Sequence, residues 1–428
     1  MSALDILLVL LRIAFGAFVP LSFVAVLVWM ERRGAAFFQD RAGPNRCNFL
    51  GFRAGGLIQN AADGIKLAFK EDVVPGHVKH KFYFILAPML VFITALLCFA
   101  VIPFADVLIL GDNHYVMQAI PMDIGILWFL AIVGFGVYGI ILAGWSSHNK
   151  YGVLGGLRAA AQVISYEIPM GLALVSLLAV YGTVNLTEMA QFQGQLLFGF
   201  IPMWGVFLQP LGVIIFIVAA FAETNRTPFD LAEGESEIVA GFHVEYSSMK
   251  FALFFMGEYV AMFVSSALIV TLYFGSYQIP WLNTETLVAY ARPVVILMMI
   301  GLPVIGYFFG EWMKKNNRSH YYRENDPRKK ETAVYVALLW SLVAVLEIVL
   351  LVYLVFAHGG VADRILVALL QIGTFLFKTF LMCFVYVWVR WTLPRFRYDQ
   401  LQKIGWEKLL PLALLNIFIT SAIIVSFG

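Results

Sequence analysis

Between Glu223 and Glu258 the chain holds seven of its 27 acids: Glu223, Asp230, Glu233, Glu235, Glu237, Glu245 and Glu258. Within that stretch only Arg226 and Lys250 oppose them. Carboxylates gathered this tightly repel one another when ionised, so some are expected to hold protons near neutral pH. That suits the handling of protons or cations. The block lies between two strongly apolar stretches, and Glu258 falls inside the second of them, Phe251–Phe274. Glu167 stands in another, Ala159–Tyr181. An ionised group at a bilayer centre costs roughly 2.5–3.5 kcal/mol on insertion scales. Such a side chain must be neutral, hydrated or paired, which makes a proton relay plausible. Glu223 closes an apolar stretch. Glu233 and Glu237 share a face if their segment is helical, with Glu235 turned away. A merely solvated acidic loop is the plainer alternative.

The elements that must position these groups are legible in the composition. The chain has 428 residues, is 61% hydrophobic and only 13% charged, and its mean hydropathy is +0.83. A soluble chain of this length needs far more polar surface. Many apolar runs exceed the roughly 20 residues that span a bilayer, and they are continuous rather than alternating. The fold class is therefore all-α, a polytopic transmembrane helical bundle forming a single membrane domain over 1–428. Ten spans are expected: Asp5–Met30, Phe82–Phe104, Asp123–Trp145, Ala159–Tyr181, Ile201–Ala222, Phe251–Phe274, Val294–Met313, Ala333–Ala357, Ile365–Val389 and Leu409–Ser426. The first is too long for a signal-peptide core and reads as a retained helix. Pro20, Pro169 and Pro303 predict bends. Leu57–Glu71 carries apolar residues on one side and Asp63, Lys66 and Lys70 on the other. That pattern predicts a short amphipathic helix, either at the membrane surface or packed on the bundle.

The charges alternate from loop to loop. Of 29 Lys and Arg residues, 25 fall on every second loop, while Arg12 and Lys378 fall inside spans. By the positive-inside rule the basic loops face the cytoplasm and both termini face outward. Lys378, among Phe377 and Phe380, predicts a buried cation paired with a carboxylate. Cys47, Cys98 and Cys383 are isolated, so an iron–sulfur cluster or structural zinc held by this chain alone is not expected. His77 and His80 read as surface-loop residues rather than a metal site. No nucleotide fingerprint or nucleophile elbow is present, so no cofactor is expected on this chain and no nucleic-acid partner.

Four blocks carry a family resemblance. The first runs from Glu31–Arg32–Arg33 through Arg41–Ala42–Gly43–Pro44–Asn45–Arg46 to Ala62–Asp63–Gly64–Ile65–Lys66–Leu67. The second is Gly144–Glu167, GWSSHNKYGVLGGLRAAAQVISYE. The third, the most specific, is Ala222–Glu237, AETNRTPFDLAEGESE. The fourth is Leu393–Leu401 with Gly405–Trp406 and Pro411. The chain resembles the NuoH-type family of NADH-quinone oxidoreductase, membrane components of respiratory complex I, nearly end to end. The resemblance implies the membrane heel of an L-shaped assembly in a bacterial plasma (inner) membrane or an equivalent energy-transducing membrane. It also implies a quinone chamber shared with peripheral subunits, a neighbouring iron–sulfur cluster that reduces the quinone, and an acidic path away from the chamber. FMN and iron–sulfur clusters then belong to partner subunits, quinone is the substrate and lipid the surroundings. The isolated chain catalyses nothing.

Carried over residue by residue, the resemblance implies quinone contacts at Arg32, Arg41, Asp63, Phe255, Met256 and Arg390. It implies a proton relay through Glu167, Glu223, Glu233, Glu235, Glu237 and Glu258. For Phe255 and Met256 plain helix packing is the alternative, and for Arg390 it is interfacial snorkelling. The sequence also departs from the family pattern. Asn60 stands where the family generally has Pro, and Cys47 is unusual in its loop. Two extra spans within 293–357 suggest an inserted transmembrane hairpin, peripheral to the chamber and separable from its chemistry. Its loop carries Arg318, His320, Tyr321, Tyr322 and Arg323, suited to an anionic lipid surface or an acidic partner, or else an inert turn. Glu347 in that hairpin has no family counterpart. Two other functions compete: the membrane subunit of a related hydrogenase or ferredoxin or formate enzyme, and a stand-alone proton or cation transporter. The intact first loop and acidic signature favour the quinone enzyme, and the elaborate polar loops disfavour the transporter.

Overall fold

The computed structural model describes residues 3–41, 43–316, 328–357 and 359–427. Eleven helices carry the architecture: α1 (Ala3–Phe38), α2 (Leu57–Phe69), α3 (Lys81–Phe99), α4 (Gly125–Ser146), α5 (Lys150–Tyr181), α6 (Pro210–Glu223), α7 (Ser248–Tyr273), α8 (Ala291–Asn316), α9 (Arg328–Val352), α10 (Val361–Thr392) and α11 (Leu410–Phe427). Among the described residues, nine segments are long and apolar enough to cross a bilayer, and α6 is a tenth, shorter apolar helix. The chain is a multi-pass membrane protein of the all-α class.

The expected fifth span starts later than its hydropathy suggests. Ile201–Pro202 pairs with Leu196–Leu197 in a small hairpin, and a single turn over Gly205–Leu208 follows. Only then does α6 begin, with Pro210 in its first turn, where a missing N–H costs nothing. Hydropathy registers apolar composition and does not separate a hairpin from a helix, so the whole apolar run looks like one span.

Helix α7 is the axle of the bundle. About 72% of its apolar window is buried, against 11–50% for the other eight. Helices α3, α10, α6 and the second half of α1 pack against it, α4 and α5 join α3 to α6, and their side chains merge into one core that includes Phe99, Phe216, Phe263 and Tyr386. Helices α8 and α9 pack on one another through a separate cluster of Val295, Leu350 and Tyr353 with Met298, Met299 and Leu302. Their outer faces are covered with exposed apolar residues such as Leu297, Phe308, Leu342 and Val349, as a lipid-facing pair would be.

The two cations inside the spans find backbone partners. Lys378 lacks the predicted carboxylate. Its Nζ donates to the carbonyls of Phe274, Ser276 and Gln278 at 2.9, 3.0 and 2.7 Å, and it lies 4.5 Å from the Trp204 ring. These carbonyls follow the end of α7 at Tyr273, so the cation gathers the loop that leaves the helix. Arg12 likewise donates to the Val116 carbonyl at 2.6 Å. The basic, aromatic cluster at Arg318–Arg323 lies outside the described residues.

Glycines set how closely the acidic loop approaches α5. A Cβ on Gly155 would lie 2.7 Å from both the Ala232 carbonyl oxygen and the Phe242 amide nitrogen. Both are backbone atoms and cannot swing away. Gly155→Ala should therefore displace residues 232–242 and destabilise the fold by about 1–3 kcal/mol. Hydrogen exchange over that loop in the purified protein should quicken. Exchange unchanged from wild type would show that the loop does not depend on this contact.

Candidate functional site: a buried arginine among carboxylates

One end of the bundle gathers the basic loops, and there the acidic signature folds inward. The chain leaves α6 at Glu223, turns through Arg226–Asp230, forms one helical turn at Glu235–Ile238, and reaches α7 at Ser248. Two features hold this loop. The Phe396 amide donates to the Pro228 carbonyl at 3.1 Å, and Arg395 Nη2 lies 2.7 Å from Asp230 Oδ2. The C-terminal strap that supplies them is itself tied to α5, where Tyr166 donates to the Leu401 carbonyl at 2.9 Å and Trp406 Nε1 to Ser165 at 3.1 Å.

Arg226 is the centre. It is 5% exposed, and three elements converge on it. From α1, Glu31 Oε2 lies 3.5 Å from Nη1; from α7, Glu258 Oε2 lies 3.7 Å from Nη2. The guanidinium also sits 4.1 Å above the ring of Tyr259, whose hydroxyl donates to Glu31 Oε2 at 2.8 Å. From α10, Arg390 Nη1 reaches the other oxygen of Glu31 at 2.9 Å. Burial works against the charge of Arg226, but Tyr259, Glu31 and Glu258 outweigh it and raise its pKa. Arg226 is a permanent cation inside the protein.

The carboxylates around it are unequal. Burial, reinforced by Glu233, pushes Asp230 up to about 7 in spite of Arg395 and Arg390. Burial also acts upward on Glu233, but a hydrogen bond with Glu258 and the nearby His243, Arg226 and Arg390 prevail and hold it below the ordinary carboxylate value. Glu233 and Glu258 lie within hydrogen-bonding reach of one another. His243 Nδ1 stands 3.8 Å from Glu233 Oε1.

Beyond Glu258 lies a cavity of about 110 Å³ between α3, α4, α5, α6 and α7. Its lining is mainly apolar, with Val91, Phe129, Met170 and Leu268 among others, but Glu258 and Glu223 both reach it. The Glu223 Oε2 atom is buried without a hydrogen-bond partner among the described residues. Glu167 comes next. It is near enough to Glu223 to act on its charge, and its Oε1 would lie 3.9 Å from a Cβ on Gly134, a neighbour of the cavity-lining Val133 and Gly136.

The sequence-predicted residues thus divide. Glu258 and Glu223 both line the cavity, Glu167 lies near Glu223 outside that lining, and Glu233 joins them through Glu258. Glu237 does not share a face with Glu233, because the helical turn is only four residues long and begins after Glu233. Instead Glu237 Oε2 pairs with Arg158 Nη1 at 2.7 Å. The side chain of Glu235 lies outside the described residues. Arg32 and Asp63 pair at 2.5 Å and join α1 to α2. Arg390 is drawn in to Glu31 rather than left at the interface. Phe255 packs 4.8 Å from Tyr259 in an edge-to-face contact, and both it and Met256 are half-buried against the core. Arg41 stands apart, exposed, and donates to Gln39 at 2.7 Å.

Helix α2 meets both descriptions given from sequence. It buries no residue fully, and Ile65 and Phe69 are 60% and 88% exposed, yet it is fastened to the bundle. Ser248 donates to the Leu67 and Lys70 carbonyls at 3.0 and 2.8 Å, and Asn60 to Ala25 at 2.7 Å. Asn60, where Pro is usual, thereby gains a bond to α1. Sequence reasoning missed Glu31, Tyr259 and the central place of Arg226. Arg226 carried a signal, as one of two cations among seven acids; Glu31 was obscured by the adjacent Arg32 and Arg33.

Comparison with known proteins agrees with this architecture. Residues 11–314 and 332–421 match the family described as NADH dehydrogenase. Similar proteins include an H-type subunit of NADH-quinone oxidoreductase from Solibacter usitatus, 40% identical over 99% of this chain and 98% of that protein. Another is the H-type subunit of the same enzyme from Flavobacterium psychrophilum, 38% identical over 93% of this chain and 92% of its own length. NADH-quinone oxidoreductase subunit 8 of Rhodothermus marinus is 38% identical over 94% and 93%. With the match running through α1 and α2, the acidic loop, α7, the α8–α9 pair and the C-terminal strap, the chain belongs to the NADH dehydrogenase family.

Proposed function

We propose that this chain is the membrane subunit of a proton-translocating NADH:quinone oxidoreductase that forms the quinone chamber and passes protons from it into the membrane domain. The observation that carries the reading is the single cavity reached by Glu258 from the Arg226 cluster and by Glu223 from the opposite helix. The near full-length likeness to components of that enzyme supports it over a related hydrogenase or a stand-alone transporter.

In this reading the chamber lies under α2 and the acidic loop. Arg32, Arg41, Asp63, Phe255, Met256 and Arg390 are its quinone-facing residues, Arg41 being brought in by a peripheral subunit. Reducing a quinone to a quinol takes two electrons and two protons, and protons drawn from nearby carboxyls change the charge beside Arg226. A proton held between Glu233 and Glu258 is the one that responds, because both carboxyls lie in the field of Arg226. The cavity has room for several waters, which would let a proton pass from Glu258 to Glu223 and on to Glu167. Glu237 would gather protons at the loop surface, and Glu235 is a further relay candidate. Electrons come from partner subunits, where FMN and iron–sulfur clusters reside. The basic end of the bundle faces the cytoplasm and docks those partners, both termini face outward, and lipid covers α8 and α9, the hairpin over 293–357.

Four outcomes follow. In the intact complex Glu258→Gln and Glu167→Gln keep side-chain shape but remove a titratable proton; each should lower quinone-reductase turnover and proton pumping by about tenfold or more. Assembly should persist. Wild-type pumping in both variants would remove the relay. Met256→Arg should raise the KM for quinone and leave reduction of a soluble artificial acceptor intact; loss of both activities together would point to misassembly instead.

The third outcome concerns Asp230. Its pKa is raised in the fold, to about 7, from an unfolded value of about 3.9. Folding therefore favours the protonated form, and this group weakens stability progressively as pH rises through the window between those values. Asp230→Asn should flatten the fall in melting temperature between pH 4 and pH 7; an unchanged slope would mean that Asp230 does not titrate there. Finally, purification in mild detergent should bring iron–sulfur subunits along with the chain, whereas a solitary active chain would favour a transporter.

A further inference from the structure

The α8–α9 hairpin touches the chamber's roof through Glu331 and Tyr335. Glu331, in the first turn of α9 and only 8% exposed, turns its carboxylate onto the first loop. Its Oε1 accepts the backbone N–H of Arg53 at 3.1 Å, and its Oε2 accepts the hydroxyl of Tyr335, one turn further along α9, at 2.9 Å. The Tyr335 ring packs 5.8 Å from Phe52, and its oxygen lies 3.7 Å from where a Cβ on Gly55 would stand. An acid in the first turn of a helix ordinarily needs only the helix dipole to account for it. Here both oxygens are bonded, one of them to a main-chain amide distant in sequence.

The other side of the same turn is held by α1. Trp29 Nε1 and Arg33 Nε both donate to the Gly55 carbonyl, at 3.0 and 2.9 Å. Gly56 follows at a φ of +102°, where any Cβ would fall 2.7 Å from the Pro44 carbonyl oxygen. The loop therefore folds back on itself and starts α2 without slack. Helix α2 then carries Asp63 to Arg32. The Arg53–Gly55 turn is thus gripped between α1 and α9, and it sets where α2 lies.

We propose that Glu331 and Tyr335 are positioning residues that lock the Arg53–Gly55 turn, fix α2 over the chamber mouth, and so control how readily a quinone enters. The inference rests on the quinone-chamber reading above, and it narrows the expectation that the hairpin is separable from the chemistry: its membrane part is, its cytoplasmic end is not.

The test uses the intact complex and two independent measurements. Losing a hydrogen bond to a charged acceptor is worth about a tenfold change in a local opening equilibrium. Glu331→Ala should quicken hydrogen exchange of the 49–58 amides by about that factor. It should also raise the KM for a long-tailed quinone severalfold, with kcat and artificial-acceptor reduction unchanged. Glu331→Gln, which keeps an acceptor oxygen, should restore most of both. Tyr335→Phe keeps the ring on Phe52 and should give a smaller effect in the same direction, which serves if the alanine variant fails to assemble. Wild-type exchange in Glu331→Ala overturns the clamp whatever the kinetics. Faster exchange with a wild-type KM overturns the link to quinone access, and so does an equal fall in artificial-acceptor reduction. If Met256→Arg also leaves the KM unchanged, the chamber reading itself is what has failed.

Discussion

A guanidinium buried in a membrane protein organises everything around it. Removing such an ion from water costs several kcal/mol, which partners must offset through well-placed charges and hydrogen bonds. Arg226 draws those partners from separate parts of the chain: Glu31 at the end of α1, Glu258 and Tyr259 on α7, with Arg390 on α10 completing the valence of Glu31. The cluster is a structural knot. It is also the reason that three carboxylates can stay close together in a dry setting, since the same cation partly neutralises each of them.

The knot has two consequences for the surrounding chain. The loop that carries Arg226 must approach the bundle closely, and Gly155 leaves room for its backbone to do so. The loop must also be held from outside, and the C-terminal strap supplies Arg395 and the Phe396 amide. Helix α7 is central in the bundle, and just past its end Lys378 gathers three carbonyls of the loop that follows. A cation at one end of α7 and a cation cluster at the other fix the height of the helix that carries Glu258. Between them Glu258 opens onto a cavity with mainly apolar walls, where the carboxyls are its sparse polar points. Such walls keep a proton path narrow, because protons move only where polar groups and water allow.

Much of this was legible in the chain itself. Continuous apolar runs determined the all-α membrane fold, and runs such as Phe251–Phe274 and Ile365–Val389 fall on α7 and α10, because helix formation is the only way a single segment satisfies its backbone in lipid. Composition also marked the acidic block, Glu167 and the two buried cations as positions that demand an explanation. What composition did not carry was the partner of each. Lys378 suggested a carboxylate and found carbonyls. Glu233 and Glu237 suggested a shared face and went to different partners, since the chain there turns rather than winding on. The fifth span lost its first turns to a hairpin whose residues are as apolar as a helix would be.

Only the tertiary structure decided that Arg226 is the centre, that Glu31 belongs to it, and that Glu258 and Glu223 open onto one cavity. It decided too that α9 reaches back across 278 residues to hold Arg53. Hydrophobicity and propensity are local properties, and they act on a segment wherever it ends up. Ion pairing and cavity formation depend on distances between segments, and those are set by how helices pack. The chain by itself determined which groups had to be neutralised inside the membrane; the packing decided by what, and in what order.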